Sequence, residues 1–557
     1  MADQTQPSRP AGRRASRLGG AGTAPAERVR RVSYFKIMNY NAAPYRAATY
    51  FLETFGCQMN VLDSQLVEGQ LRDLGLRRVA MTAQADVILF NTCSVRQHAE
   101  DKVLSRLGRL KHLKRRRPAI VIGVLGCMAE RQRQELLASI PHLDLICGPG
   151  ELHRLPTLLT QVWTQRRQVA ALTDSKSRRT DVLDRAAEPD PLEALERRRW
   201  QPPDGHGCAP GPTGERPGVP GLAAVPVADV LQSYVRVQRG CDKFCTYCVV
   251  PFVRGPERSR PPAAIVEECR RLAEHGCREV TLLGQTVNSY VHPEDRRAVR
   301  FADLLERVHA IEALDRIRFV TSYPADWDED IFRVLRDYPR VCPYLHLPAQ
   351  SGSDRILKAM KRGYTAAEYL DIIDAARRYV PDIGLAGDFI VGFCGETEAD
   401  HQATVDLIRR VEYQGLFIFK YSPRPGTAAE RSQADDVPMD VKAHRNNELL
   451  AIQAEIGLRH RQRLVGQAVE VLVEGPSKTD RLETADRPAR PADAPAPVAR
   501  QLTGRTPTGL ITVFDGTPDL IGAIVRARVE SASALTLFGR VETVISPARP
   551  RCPAGLS

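Results

Sequence analysis

Three thiols, Cys241, Cys245 and Cys248, follow one another in the spacing Cys-x3-Cys-x2-Cys. A loop this tight can wrap one face of a cubane iron–sulfur cluster, which normally takes four protein ligands. Three thiolates leave one iron open, and an open metal position is where a substrate or cosubstrate binds. Structural zinc is the rival. It takes four ligands, commonly two pairs of Cys or His. Neither residue type completes this loop, since the nearest cysteines outside it are Cys208 and Cys269. A disulfide framework fits less well, because the group is odd in number and the chain is long.

A second thiol set emerges once the elements around it are read. Thr49 to Thr54, Asp86 to Phe90 and Ala119 to Leu125 read as strands, and each is followed closely by a cysteine: Cys57, Cys93 and Cys127. Helical spacing follows over Val61 to Leu74, Arg96 to Leu113 and Gln132 to Ile140. In the second of these, Val103, Leu104, Leu107 and Leu110 form the apolar side. A fourth strand, Leu143 to Ile146, ends at Cys147. Such alternation implies a parallel sheet with helices on both faces. The loops past the strands then share one edge, where ligands bind. Three cysteines far apart in sequence are thereby expected to converge, and three again leave one iron of a cluster open. A single cysteine is more often a buried structural residue; three at equivalent topological positions are harder to explain that way. Cys147 is read as structural and Cys208 as inert.

The cysteine loop itself follows a strand, Tyr234 to Gln238, and precedes a helix, Ala263 to His275. Five further strands are expected: Glu279 to Leu283, Arg316 to Thr321, Pro343 to Leu347, Gly384 to Val391 and Leu416 to Tyr421, with a helix at Glu398 to Val411. Six such units suggest a partial (β/α)6 barrel with functional groups at the C-terminal ends of its strands. From Gln467 the pattern turns to short strands, Val469 to Val473, Leu510 to Val513, Ile524 to Val529 and Leu535 to Phe538. A small antiparallel β-barrel of the OB type fits. Its Lys478, Arg505, Arg526 and Arg528 are candidates for gripping RNA. The Pro/Ala-rich stretch from Leu482 to Arg500 reads as an extended loop within it. The expected fold class is thus α/β: a doubly wound sheet, a partial barrel and a small β-barrel. The boundaries are a disordered basic tail at 1–47, an N-terminal domain at 48–165, a linker or insertion at 166–230, the barrel at 231–463, the small barrel at 464–545 and a tail at 546–557.

Composition limits the alternatives. The chain has 557 residues with 43% hydrophobic and 26% charged, ordinary for a globular protein with ample core. No apolar run is long enough to span a bilayer. The net charge of +12 favours a polyanionic partner. Thirteen cysteines gathered in motifs suit metal chemistry in a reducing compartment rather than a secreted disulfide scaffold. The Arg-rich start has no apolar h-region and is not a secretory signal.

These motifs together resemble the radical S-adenosylmethionine methylthiotransferases. The resemblance rests on the Cys241/Cys245/Cys248 triplet with its tail Val250-Pro251-Phe252-Val253-Arg254-Gly255 and Glu257-Arg258-Ser259-Arg260. It rests also on Gly56-Cys57-Gln58-Met59-Asn60, on Asn91-Thr92-Cys93 with Arg96, Ala99 and Glu100, and on Gly126-Cys127-Met128-Ala129. It runs from Thr49 to about Val541, apart from the insertions. The stretch Leu283-Gly284-Gln285-Thr286-Val287-Asn288-Ser289-Tyr290 resembles the branch that methylthiolates N6-isopentenyladenosine in tRNA. Two departures from that branch are Pro256, where Arg is usual, and an enlarged loop in the C-terminal (TRAM) barrel.

The resemblance implies two [4Fe–4S] clusters, a radical one on Cys241, Cys245 and Cys248 and an auxiliary one on Cys57, Cys93 and Cys127. It implies S-adenosylmethionine as cosubstrate, cleaved reductively at the first cluster and supplying a methyl group to a sulfur on the second. Hydrogen leaves C2 of adenine 37, next to the anticodon, and the methylthio group takes its place. No side-chain acid or base is required, so no catalytic residue is assigned. Tyr247, Gln285 and Gln350 are the candidates for contact with S-adenosylmethionine. The expected partners are tRNA and an electron donor such as flavodoxin or ferredoxin, for a cytoplasmic monomer with no membrane association. The alternatives are the same reaction on threonylcarbamoyladenosine or on a ribosomal protein, and an iron–sulfur RNA-binding protein without turnover.

Overall fold

The computed structural model describes residues 48–95, 97–173, 190–198, 231–480 and 500–549. The sequence expectations for the N-terminal tail, for most of the 166–230 stretch and for the Pro/Ala-rich loop fall outside these residues.

The runs Val-Ile-Leu-Phe and Val-Ile-Gly-Val-Leu are apolar without alternation, as strands covered on both faces must be. They form β3 (Val87–Thr92) and β4 (Val121–Gly126), buried along their whole length. Around them lie β1 (Thr49–Phe55), β2 (Arg77–Arg78), β5 (Leu145–Cys147) and β6 (Val169–Ala171), giving one parallel sheet in the order β2-β1-β3-β4-β5-β6. Helices Gln58–Asp73, Gln97–Arg116, Cys127–Ser139 and Leu155–Gln165 connect the strands. On the second of these Val103, Leu107 and Leu110 are buried, but Leu104 is 40% exposed. The expectation for Leu104 is corrected by geometry: the i, i+4, i+7 stripe faces the sheet and the next residue is turned about 100° away from it.

The 166–230 stretch is not all linker. Its start supplies β6, the sixth strand of the sheet, and Pro191–Arg198 is a helix. Buried charge holds that helix in place. Arg236, at the end of the first barrel strand, forks onto Glu196 at 2.6 and 2.9 Å and reaches Asp190 at 3.2 Å. Arg260 pairs with the same Glu196 at 2.9 Å and with Glu268 at 2.8 Å. Removing one partner from such a set leaves a buried charge uncompensated, which makes the set a strong fixture.

The central strands are β7 (Gln232–Arg236), β10 (Glu279–Leu283), β13 (Arg316–Val320), β14 (Tyr344–His346), β15 (Gly384–Val391) and β16 (Gly415–Lys420). Between them lie two small ribbons, β8 (Gln238–Arg239) with β9 (Arg258–Ser259), and β11 (Val291–His292) with β12 (Val299–Arg300). Parallel pairing gives β13-β10-β7 and β14-β15-β16, and a single bridge from Ile317 to Val341 joins the halves. The result is an open barrel of six strands. Side chains alternate across it. Val235, Val280, Leu282, Ile317, Phe319, Leu345 and Phe389 point outward into the helical core. Tyr234, Leu283 and Val320 point the other way and meet Met59 and Leu62 of the first N-terminal helix and Cys57, the residue that precedes it.

The C-terminal strands β17 (Ala468–Pro476), β18 (Arg500–Arg505), β19 (Ile511–Gly516), β20 (Ile524–Ala532) and β21 (Thr536–Ser546) close into a barrel, β17-β18-β19-β21-β20. Four pairings are antiparallel, and β19 with β21 is parallel. The turn between β18 and β19 plugs the N-terminal ends of the large barrel's strands. Arg318 donates to the carbonyls of Thr506 and Pro507 at 2.7 and 2.8 Å, and Arg316 to that of Arg505 at 2.6 Å. The opposite end, where the cysteine loop emerges, is left for chemistry. No helix among the described residues is long and apolar enough to cross a membrane.

Candidate active site

Cys57, Cys93 and Cys127 come from three consecutive strand ends, and the backbone there is built for close approach. A Cβ on Gly56, at φ +127°, would sit 2.3 Å from the Cβ of Cys93, and one on Gly126, at φ +88°, 2.4 Å from Asn91 Oδ1. Only glycine permits either contact. Asn60 and Asn91 tie the turns together: Asn60 Nδ2 donates to Asn91 Oδ1 at 3.1 Å, and Asn91 Nδ2 to the Asn60 carbonyl at 2.9 Å. Cys127 is not in a loop, as the sequence suggested, but is the first residue of its helix, Cys127–Ser139.

The three thiols meet. Cys93 lies between the other two and hydrogen-bonds to both, which raises its own pKa and lowers theirs, Cys57 to about 6. After that hydrogen bond and the opposing cost of burial, the field of Arg254 lowers Cys57 and Cys127 further. Arg254 follows directly on the helix Val250–Val253 of the cysteine loop, and its Nη2 donates to buried Asp63 at 2.9 Å. Val249 and Val253 pack on Cys127. One short segment therefore runs from one thiol set to the other.

Cys241, Cys245 and Cys248 occupy a loop at the C-terminal end of β7. Burial raises the pKa of Cys241 to about 12 and pushes Cys248 up as well. For Cys241 and Cys248 burial outweighs the groups that favour ionisation, and the charge of a bound cationic iron centre would offset it. The loop is held from the far side of the barrel. Thr246 donates from its N to the Met360 carbonyl at 3.0 Å and from Oγ1 to that of Ala359 at 2.9 Å. Arg362 Nη1 donates to Cys245 Sγ at 3.4 Å, while Nη2 reaches the Pro348 carbonyl at 3.0 Å and Nε the Tyr364 hydroxyl at 3.0 Å. Both donor sets are thiols only, the usual ligands of iron–sulfur clusters. Among the described residues, no three His, Cys, Asp or Glu side chains are arranged about the position of a single metal ion.

The other sequence candidates fall as follows. Tyr247 packs edge-on to Phe393 at 6.4 Å, beside the apolar cluster of Ile356, Met360 and Tyr421. Gln350 has φ +71° and continues the sheet: its N donates to the Asp388 carbonyl at 2.8 Å, and its own carbonyl accepts from Ile390 N at 2.9 Å. Gln285 is half-buried in the loop after β10. On the small barrel, Lys478 and Arg526 are exposed. Arg505 pairs with Glu474 at 3.4 Å, and Arg528 with Glu542 at 2.7 Å, so both are engaged within the chain.

Sequence reasoning missed the arginines. Arg254 stood in the quoted tail of the cysteine loop, one residue past its helix, and its position was the available signal. Arg362, like Arg424 in the loop after β16, carries no local signal, because its partners lie far off in sequence. A cavity of about 440 Å³ lies between helices Pro191–Arg198 and Pro262–Glu274, lined by Glu193, Arg260 and Glu267. No thiol lines it, and we assign it no chemistry.

The chain is similar to known proteins. The family model described as "Radical SAM superfamily" matches residues 235–408, and that described as "Uncharacterized protein family UPF0004" matches residues 49–148. A tRNA-2-methylthio-N(6)-dimethylallyladenosine synthase from Rhodopirellula baltica is 45% identical over 89% of this chain and 96% of its own length. Proteins of the same name from Syntrophotalea carbinolica and Moorella thermoacetica are 41% and 39% identical, over 87% and 88% of this chain and 97% and 98% of theirs. Among solved structures, a radical S-adenosylmethionine methyltransferase from Kitasatospora setae is similar with a TM-score of 0.45 at 14% identity, covering 69% of this chain and 74% of its own.

Proposed function

The chain belongs to the family of the tRNA-2-methylthio-N(6)-dimethylallyladenosine synthases, and from that premise we propose that it converts N6-dimethylallyladenosine at position 37 of tRNA to the 2-methylthio derivative. The observation that carries this reading is the convergence of Cys57, Cys93 and Cys127 beside Arg254, which is carried on the same loop as Cys241, Cys245 and Cys248. Two thiol-only sets on one short connection suit a reaction that activates S-adenosylmethionine at one place and delivers sulfur from the other.

Cys241, Cys245 and Cys248 would hold one [4Fe–4S] cluster and Cys57, Cys93 and Cys127 the second. Bound there, the clusters supply reductive cleavage of S-adenosylmethionine and the sulfur that receives its methyl group, respectively. The chain's own residues do the positioning. Arg362 and Thr246 fix the radical loop against the opposite wall of the barrel. Met59 and Leu62 seat the N-terminal sheet against Tyr234, Leu283 and Val320, which brings Cys57 to the barrel interior and keeps water from that wall. Tyr247, Gln285 and Gln350 lie on the loops at the same end of the barrel and are assigned to S-adenosylmethionine. Of the four candidate cations on the small barrel, Lys478 and Arg526 are exposed and are assigned to phosphates, with Arg505 and Arg528 available if their carboxylates yield. A splayed adenine in the anticodon loop can unstack far enough to enter the site.

We assign the protein to the cytoplasm, where its tRNA is found, as a monomer reduced by a flavodoxin or ferredoxin. The test is nucleoside mass spectrometry of tRNA from cells lacking their own enzyme of this family, with and without this chain. The 2-methylthio-N6-dimethylallyladenosine peak is expected to return with the chain. Its absence, with N6-dimethylallyladenosine accumulating in the presence of folded protein, would overturn the proposal.

A further inference from the structure

Arg424 lies in the loop after β16, and only 7% of its surface is exposed. Its guanidinium crosses to the N-terminal sheet. Nη2 donates to the Val95 carbonyl at 2.9 Å, and Nη1 donates to the Gln97 side-chain oxygen. Both acceptors are neutral. Val95 N in turn donates to Cys93 Sγ at 3.3 Å, so Arg424 is anchored two residues from the central thiol of the set.

Among the described residues Arg424 has no ion-pair partner. The acid nearest in influence, Glu100, is held by Arg131 through two bonds of 2.6 and 3.3 Å. Burial lowers the pKa of Arg424, and Glu100 and then Cys93 are among the groups opposing that. Arg254, the other barrel arginine at this site, makes the contrast plain, since it has Asp63 at 2.9 Å. A buried charge without a counter-charge is costly and is retained where an anion binds.

We propose that Arg424 is a positioning residue for the auxiliary centre, a barrel-borne cation whose counter-charge is the anionic cluster held by Cys57, Cys93 and Cys127. The inference rests on the reading of that triad given above. Three thiolates on a doubly charged cubane leave the centre net negative, and a guanidinium two residues from Cys93 compensates it. Since Arg424 belongs to the barrel and its acceptors to the sheet, loading the centre tightens the seating of one on the other. The cation also stabilises the reduced, more negative state, so it holds the reduction potential up.

The test uses the full chain with Cys241, Cys245 and Cys248 replaced by alanine, so that only the auxiliary centre binds iron. Arg424→Gln and Arg424→Lys are compared with this parent for iron content and for midpoint potential in an anaerobic titration. The Gln variant is expected to titrate at a lower potential than the parent, and the Lys variant close to it. Loss of iron in Gln with retention in Lys supports the same conclusion. Equal potentials in parent and Gln, or iron loss in both variants, would overturn it. Equal potentials together with a shallower salt dependence of tRNA binding, by about one unit of slope, would make Arg424 a phosphate contact instead. A parent that binds no iron while the unsubstituted chain holds about four per molecule would refute the auxiliary-centre assignment itself, and this inference with it.

Discussion

A chain carrying alanine at Cys57, Cys93 and Cys127 is expected to keep about half of its roughly eight irons, to release 5′-deoxyadenosine from S-adenosylmethionine, and to leave the adenine without a methylthio group. The separation follows from the geometry. These thiols come from the N-terminal sheet, whereas Thr246, Arg362 and the turn at Gly240, which hold the radical loop, belong to the barrel. Cleavage of the cosubstrate needs only the second group. Far-ultraviolet circular dichroism comes first, since loss of bound metal can loosen a fold that it supports. If the folded variant methylthiolates tRNA at the unsubstituted rate, those three thiols are structural.

Gly240→Ala is expected to do the converse with a single methyl group. Gly240 precedes Cys241 and has φ +72°. A Cβ there would lie 1.9 Å from the Pro256 carbonyl oxygen and 2.6 Å from that of Gly255. Both are backbone atoms of the segment that closes the loop, and Cys241 N donates to that Gly255 carbonyl at 3.2 Å. The chain cannot accept the methyl without moving Cys241. About four irons should be lost, and 5′-deoxyadenosine should fall to background. Gly255→Ala is the control: φ is +76°, yet nothing lies within 4 Å of the added carbon. Its cost is backbone strain of about 1–2 kcal/mol, and iron should be retained. Equal iron in the two variants would mean that the turn does not hold the ligand.

The parts of this molecule that a sequence announces are those whose causes are local. Glu279–Leu283, Gly384–Val391 and Glu398–Val411 begin and end where their apolar patterns do. The six thiols were legible because spacing and strand ends are local too. Val169–Ala171 and Arg500–Arg505 were not. The first is three residues long and is a strand only because β5 pairs with it. The second follows directly on Pro/Ala-rich chain, and its alternation is completed by β17 and β19. Pro191–Arg198 reads as polar linker until Arg236 and Arg260 are placed beside Glu196, a match between charges on distant segments of the chain. Arg254, Arg362 and Arg424 illustrate the same limit at the site itself: each acts on a residue of a distant segment.

The central claim is that the thiol-bearing end of the barrel acts on C2 of the modified adenine. The most direct measurement uses tRNA whose N6-dimethylallyladenosine carries deuterium at C2, incubated with the reconstituted chain, S-adenosylmethionine and a low-potential reductant. Mass spectrometry of both products follows. Deuterium is expected in 5′-deoxyadenosine, with a methylthio group on the carbon it left. Undeuterated 5′-deoxyadenosine beside an adenine that keeps its label would contradict the claim.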